Sequence, residues 1–306
     1  MSSHKAVRSE KSLGLIFGLS AYVFWGLFPL FWPLLKPATP YEIVAHRALW
    51  TFIFCMLVLA FSKKLRAMFA RLRDVRILLG LTLTSILISI NWIVYIWATN
   101  NGHVVEASLG YYINPLVMIA FGVILLKEKM RRGQWIAVAI ASVGVAVLTV
   151  DYGRLPWVAL GLAFSWGSYG VVKKVLDLGA LEGLTIETMI SLLPYVTFLL
   201  ILENSDKAQF GKDLGLTLLL ISAGIVTAVP LLLFNGSTTR LPYTVIGLLQ
   251  YITPTIQFAI GVWINHEEMS TARWVGFLII WCALVTLALD LLRSGRAVNN
   301  RITQEI

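Results

Sequence analysis

Charge is scarce in this sequence. Only 13% of its 306 residues are Asp, Glu, Lys or Arg, whereas a soluble domain carries roughly 25%. A large core cannot explain the deficit, because the surface of a soluble protein still needs charged residues. With 58% hydrophobic residues and a mean hydropathy of +0.79, the composition predicts a polytopic membrane protein.

Features on which several other functions depend are also missing. The chain has 2 cysteines, and Cys55 and Cys282 both lie deep in apolar runs, which argues against a disulfide framework and a thiolate metal site. The nucleotide-binding pattern G-x-x-x-x-G-K-[ST] is absent, and His266-Glu267 lacks the second histidine of the zinc-protease pattern H-E-x-x-H. We therefore predict no catalytic residue, no metal, no cofactor and no nucleotide hydrolysis.

The net charge of +9 comes from basic residues in short loops between apolar runs. That distribution is the positive-inside pattern of membrane proteins, so we predict no nucleic-acid partner. With the amino terminus inside, most of the 25 lysines and arginines fall in cytoplasmic segments. The sequence thus predicts that both termini are cytoplasmic.

Ten apolar runs are long enough to cross a bilayer as helices, because a hydrocarbon core of about 30 Å requires ~20 residues. The chain is therefore predicted to be an all-α protein with ten transmembrane helices, five in each half. We place the halves at 13–150 and 151–292, with cytoplasmic tails at 1–12 and 293–306. The runs lie near 13–35, 42–61, 77–98, 104–126, 134–150, 156–174, 185–202, 215–234, 243–264 and 273–292.

One stretch of the sequence occurs twice. Residues 107–135 recur 139 positions later without a gap, so that Pro115 aligns with Pro254 and Glu128 with Glu267. Matching prolines and acids in one register indicates an internal duplication.

An odd number of spans in each half inverts the second copy relative to the first. The repeated loop supports this, because it is basic at 127–132 and acidic at 266–271. Two inverted five-helix repeats are a transporter architecture, with the substrate site near the middle of the membrane.

The two repeated prolines lie about halfway along their predicted spans. Proline leaves the carbonyl four residues earlier without its helical partner, and inside a bilayer such a carbonyl must find another donor or line a wet cavity. We predict that these kinked helices line the substrate pathway; the alternative is that the kinks only shape the bundle. The predicted pathway residues on them are Tyr111, Tyr112, Asn114, Pro115, Gln250, Tyr251, Thr253, Pro254 and Gln257.

Three tryptophans and one amide extend this predicted pathway. Trp25 and Trp166 belong to Trp-Gly pairs at matching places in the first and sixth spans, and Asn91-Trp92 lies in the outer part of the third span. Each has a structural alternative. The tryptophans would serve packing or the membrane interface, and Asn91 would hydrogen-bond between helices.

Ionisable residues in or near membrane spans suggest a function. Glu42, Arg47 and Glu106 lie near the outer ends of the second and fourth spans, and Glu187 lies near the inner end of the seventh, close to Lys173. We predict that Glu42, Arg47, Glu106 and Glu187 serve a gate or a proton relay, with Arg47 and Glu106 able to pair. The alternative is anchoring at the membrane interface.

Several of these segments resemble a known family. The proline-containing helices that end in Glu128 and Glu267, together with the paired Trp-Gly, resemble the EamA-type repeats of the drug/metabolite transporter superfamily. More narrowly, the segments at 42–47, 91–98 and 106–115 are similar to the RarD permeases of that superfamily. The resemblance covers nearly the whole chain. It implies a ten-helix permease of the bacterial inner membrane with cytoplasmic termini, and a drug, amino acid or other metabolite as substrate.

These observations favour a secondary transporter of a small organic molecule that works by alternating access. Without a nucleotide motif, its energy source is exchange or proton coupling. An intramembrane enzyme is an alternative, but it would need catalytic groups that converge at one depth. A second alternative is an accessory or signalling membrane protein. The small-residue face of Gly14 and Gly18 would permit a homodimer in the bilayer.

Overall fold

The computed structural model describes residues 2–126, 131–176, 178–238, 240–241 and 249–304. Within these ranges the chain is helical and has no strand. A 3₁₀ turn at Trp32–Leu35 follows the helix Phe28–Phe31, and a π-helical turn at Ile260–Ile264 follows the helix Ile252–Ala259. The helices are α1 Ser2–Gly26, α2 Phe28–Phe31, α3 Pro40–Phe61, α4 Leu65–Arg71, α5 Val75–Asn100, α6 Val104–Leu126, α7 Arg132–Tyr152, α8 Trp157–Leu176, α9 Ala180–Asn204, α10 Leu214–Thr238, α11 Ile252–Ala259 and α12 Thr271–Gln304.

The described helices make this a multi-pass membrane protein. Six of them are long and apolar enough to cross a membrane, namely α3, α5, α7, α9, α10 and α12. A seventh span is formed if Glu10–Gly26 and Phe28–Leu35, which meet at a bend of 41°, count together. Helices α6 and α8 cover the predicted fourth and sixth runs, and residues 243–248 of the ninth run lie outside the described residues.

The two repeated prolines do not have equivalent surroundings. Helix α6 is continuous through position 115, and the Pro115 side chain lies outside the described residues. Gln250 and Tyr251 form a turn, and α11 begins only at Ile252. The span is interrupted at Gln250 and Tyr251, directly before the turn that holds Pro254, where the missing proline N–H was predicted to bend it.

Glycines bring the helices of the two halves unusually close. A Cβ on Gly224 of α10 would lie 2.6 Å from the carbonyl oxygen of Trp50 in α3. Small residues permit this backbone approach in membrane helices. The face of Gly14 and Gly18 is used in the same way, because a Cβ on Gly18 would lie 2.6 Å from Ser237 Oγ. That face packs against the chain's own α10 and is not a free dimer surface.

The packing of the two halves is unequal. The repeat offset makes α9 the counterpart of α3 and α10 the counterpart of α5. Helix α3 packs extensively along α10, whereas the equivalent pair, α9 and α5, is in much looser contact. The other pairs that join the halves include α6 with α8, α1 with α10, and α7 with α12.

Candidate substrate site and the buried charges

Arg47 lies inside the bundle rather than at its edge. Helix α3 starts at Pro40, with the Thr39 side chain accepting a hydrogen bond from the Glu42 N–H at 3.2 Å. Seven residues further on, Arg47 is about 10 Å along the helix. Its side chain is only 4% exposed, and its Nε donates to Thr227 Oγ1 of α10 at 2.8 Å.

Aromatic rings surround the Arg47 guanidinium. Its Cζ lies 4.0 Å from the ring centre of Trp92, 4.8 Å from that of Trp32 and 5.8 Å from that of Phe28. Cation–π contacts of this kind are strongest when water is excluded. Helices α3 and α5 and the turn after α2 therefore form an aromatic box around one buried cation.

Three tyrosines extend this box towards the second half of the chain. Tyr95, Tyr111 and Tyr195 are close enough to Arg47 to interact with it electrostatically. The rings of Tyr95 and Tyr111 meet edge to face at 5.7 Å. Gln257 of α11 donates to the Tyr95 hydroxyl at 2.9 Å, while its own Oε1 is buried without a partner among the described residues. Helices from both halves thus meet around Arg47.

Other predicted pathway residues hold neighbouring helices together. Asn91 donates to Ser165 Oγ at 2.9 Å and to the Leu162 carbonyl at 3.2 Å, which joins α5 to α8. This geometry agrees with the alternative of a hydrogen bond between helices. Thr253 donates to the Tyr22 carbonyl at 2.7 Å and joins α11 to α1.

The remaining predicted residues near the box are aromatic or amide side chains. Trp25 is partly buried, and its carbonyl accepts from Gln257 Nε2 at 3.2 Å. Trp166 stacks on Tyr169 with ring centres 5.4 Å apart. Asn114 is buried on α6, where its Oδ1 faces the position of a Cβ on Gly167 of α8 at 3.6 Å.

Tyr112 belongs to a different part of the molecule from Tyr111. Its ring packs on Phe277 and Trp281, and its hydroxyl is 2.9 Å from Thr255 Oγ1. With Tyr251 it lines an open, mostly apolar groove of about 380 Å³. Consecutive helical residues point about 100° apart, so the structure divides the predicted pathway into the aromatic box and this groove. Gln250 lies in the turn before Tyr251.

Glu106 does not pair with Arg47. Its carboxylate accepts from Arg154 Nη2 at 2.9 Å and Nη1 at 3.3 Å, and from the Val158 N–H at 3.1 Å. The predicted Arg47–Glu106 pair is therefore wrong. The hydrogen bond that Arg154 donates to Glu106 raises the pKa of Arg154, and the carboxylate stabilises the positive amino-terminal end of α8.

Two further carboxylates bind backbone N–H groups on the same side of the bundle. Glu42 Oε1 accepts from the N–H groups of Gln209 at 2.7 Å and Phe210 at 3.3 Å. Glu267 accepts from the first two N–H groups of α6, at 2.6 Å and 2.9 Å. Burial raises the pKa of Glu267, although these N–H groups act in the opposite direction.

Glu187 forms a second buried polar cluster nearer the other end of the bundle. Its Oε1 lies 3.0 Å from Lys173 Nζ and accepts from Thr84 Oγ1 at 2.7 Å, and its Oε2 accepts from the Tyr169 hydroxyl at 3.1 Å. Thr84 and Trp92 are eight residues apart on α5, so the two clusters are separated by about 12 Å along that helix.

Interfacial anchoring does not describe the four predicted gate residues. Their exposed fractions are 0% for Glu42, 4% for Arg47, 1% for Glu106 and 1% for Glu187. Anchoring residues reach the headgroup region, and these side chains point into the protein. Glu42 accepts hydrogen bonds from backbone N–H groups, and Glu106 and Glu187 each form an ion pair. Arg47 has no acidic partner among the described residues.

The sequence interpretation missed several residues of the aromatic box. Trp32, Phe28, Tyr195 and Thr227 were not predicted to contribute. Thr227 had a recognisable signal, because a polar residue in a long apolar run such as 215–234 is suspect in a membrane helix. Trp32 and Phe28 had none, because they follow the break after α1 and aromatic residues are common near span ends.

The comparison with known proteins now defines the family. The model of the EamA-like transporter family matches residues 12–150 and 155–289. The chain belongs to this family. It is 47% identical to Protein RarD of Streptomyces exfoliatus, covering 96% of this chain and 94% of that protein. It is 39% identical to Protein RarD of Escherichia coli K12, covering 92% of this chain and 96% of the relative.

Two further matches agree with this EamA membership. The chain is 43% identical to the uncharacterized transporter YojE of Bacillus subtilis, over 94% of this chain and 98% of YojE. A solved crystal structure superposes with a TM-score of 0.61 at 16% identity, covering 91% of this chain and 98% of that one. The last match shows a shared fold only. Together the matches support a RarD-type member of the EamA family.

Proposed function

We propose that this EamA-family protein is a secondary transporter of a small organic molecule across the bacterial inner membrane. The observation that carries the proposal is the aromatic box around Arg47, to which α3 and α5 of the first half and α10 and α11 of the second contribute. A site formed where two halves of a membrane protein meet is suited to alternating access. The transporter names of the relatives support the same function.

In this proposal the chain crosses the membrane ten times as two inverted five-helix repeats, with both termini in the cytoplasm. The duplicated segments and the basic loops support that arrangement. The bent first span and the break at Gln250 and Tyr251 also fit it, because interrupted helices are common at transporter sites. Attaching reporters that work on only one side of the membrane to each terminus would test the orientation.

The test of transport is uptake and efflux in proteoliposomes with an imposed pH gradient, using a pooled library of metabolites and amphenicol drugs. Uptake that collapses with the gradient would establish proton coupling, and uptake that requires compound on the far side would establish exchange. Folded protein that moves nothing would favour an accessory role instead.

If protons are coupled, Glu106 is a poor relay group because Arg154 and the start of α8 already occupy its carboxylate. We expect Glu106→Gln to retain pH-dependent transport in protein that folds.

A further inference from the structure

Arg47 is a buried cation at the centre of the aromatic box. In the part of the chain that the structure describes, no carboxylate lies within ion-pair distance of it, and its Nη1 has no hydrogen-bond partner. Removing a guanidinium from water is costly unless a partner compensates for the loss. Charged residues kept inside membrane proteins in this way mark functional sites.

The other buried charges show that this fold normally satisfies such groups. Glu106 is paired with Arg154 and Glu187 with Lys173, each at 3.0 Å or less. Glu42 has two backbone donors. The missing partner of Arg47 is therefore not a general property of the bundle.

The surroundings of Arg47 restrict where a partner could bind. Trp92 and Trp32 pack on the guanidinium at 4.0 and 4.8 Å, and Thr227 accepts the hydrogen bond that Nε donates. The edge that carries Nη1 is buried and donates to none of the described residues. A guanidinium edge presents parallel N–H donors that match the two oxygens of a carboxylate.

The charge of Arg47 and the aromatic residues that line the box further restrict the class of ligand that could bind there. Three tyrosines, Tyr95, Tyr111 and Tyr195, lie near the single positive charge of Arg47. A single positive charge matches a monoanion, whereas a phosphate dianion would require more than one cation. The aromatic lining suits an apolar or aromatic body. We propose that Arg47 binds the carboxylate of the substrate, and that the substrates are small organic monocarboxylates. This inference rests on the proposed transport function.

Binding is tested on the full chain in detergent by thermal unfolding. The probes are phenylacetate, 3-phenylpropionate and indole-3-acetate, each beside its neutral carboxamide, with chloride and inorganic phosphate as simple anions. A bound carboxylate at about 100 times its Kd should raise the Tm by about 5 °C. The carboxamides and inorganic anions should not. Equal shifts from acid and amide, a larger shift from phosphate or chloride, or no shift from any carboxylate would overturn the proposal.

Substitutions connect that binding to Arg47. Arg47→Gln should weaken carboxylate binding about a hundredfold, because a charge-assisted hydrogen-bonded pair is lost. Arg47→Lys keeps the charge without the planar fork and should fall between Arg47→Gln and the wild type. Arg66→Gln removes an exposed arginine of α4 and should bind as the wild type does. Wild-type affinity in folded Arg47→Gln would contradict the inference.

Uptake of the same compounds into proteoliposomes separates this inference from the proposed function. Carboxylate binding that depends on Arg47, without uptake or exchange, would refute transport but support the anion site. Uptake of neutral compounds that Arg47→Gln does not impair would support transport but refute the anion site. Uptake of carboxylates that Arg47→Gln abolishes would support both.

Discussion

The buried pair of Glu187 and Lys173 allows a quantitative test of the packing between α8 and α9. The Glu187 side chain is 0% exposed and the Lys173 side chain 16% exposed, with 3.0 Å between Nζ and Oε1. Removing one partner of a buried pair costs about 3–5 kcal/mol. Lys173 keeps some access to solvent, so we expect the lower end, about 3 kcal/mol, for Glu187→Gln. With an unfolding entropy of about 2.1 cal/mol/K per residue, a chain of 306 residues changes its Tm by roughly 1.5–2 °C for each kcal/mol, so the Tm should fall by about 5 °C.

Lys173→Met should cost less, because Thr84 and Tyr169 still donate to the Glu187 carboxylate. The double variant leaves no unpaired charge, so its loss of stability should be smaller than the sum of the two single losses by about 1–3 kcal/mol. The fluorescence of the 11 tryptophans reports unfolding in detergent.

An exposed ion pair provides the matched control for this cycle. Lys212 lies 3.5 Å from Asp206, and both side chains are largely exposed. Such pairs add little to stability, so Lys212→Met should leave the Tm unchanged. Strictly additive losses in the Glu187–Lys173 cycle, or a control that loses as much as Glu187→Gln, would show that the buried pair does not stabilise the folded protein.

Two further predictions concern a helix contact and a loop. Gly224→Ala should lower the stability of the protein by about 1–3 kcal/mol through overpacking against the Trp50 backbone. Gly161→Ala is the control and should not destabilise the protein, because its Cβ would meet nothing within 4 Å. Equal Tm values for the two variants would refute the close approach. Glu267 has a raised pKa, so its contribution to stability is fully present below the ordinary glutamate pKa and is lost as pH rises through the raised value. As the pH rises above the ordinary glutamate pKa of about 4.3, the Tm of the wild type should therefore decline relative to Glu267→Gln; parallel pH profiles would contradict this.

The sequence was most informative where a pattern extends over many residues. Long apolar runs predicted the helices α3, α5, α9, α10 and α12 because the requirement for a membrane span is local and one-dimensional. The match of both halves to the EamA-like family agrees with the predicted resemblance. These features depend on composition and length, and not on how the helices rotate about their axes.

Partners across the bundle could not be predicted in the same way. Glu106 pairs with Arg154 rather than Arg47 because α6 packs closely along α8 and barely contacts α3. Side-chain packing fixes which helices are neighbours and how each one is rotated about its axis. Tyr111 and Tyr112 are neighbours in the chain and lie in different sites for the same reason.

Helix α3 packs more closely on α10 than α9 does on α5, so the two halves of this molecule are not in equivalent conformations. If the halves are exchangeable, as the proposed inverted repeats imply, two conformations follow from one set of contacts, and this structure corresponds to only one of them. In the other, α9 would close on α5 and α3 would draw away from α10. The hydrogen bond between Arg47 and Thr227 spans the pair that would separate, so Arg47 would lose that partner in the second conformation.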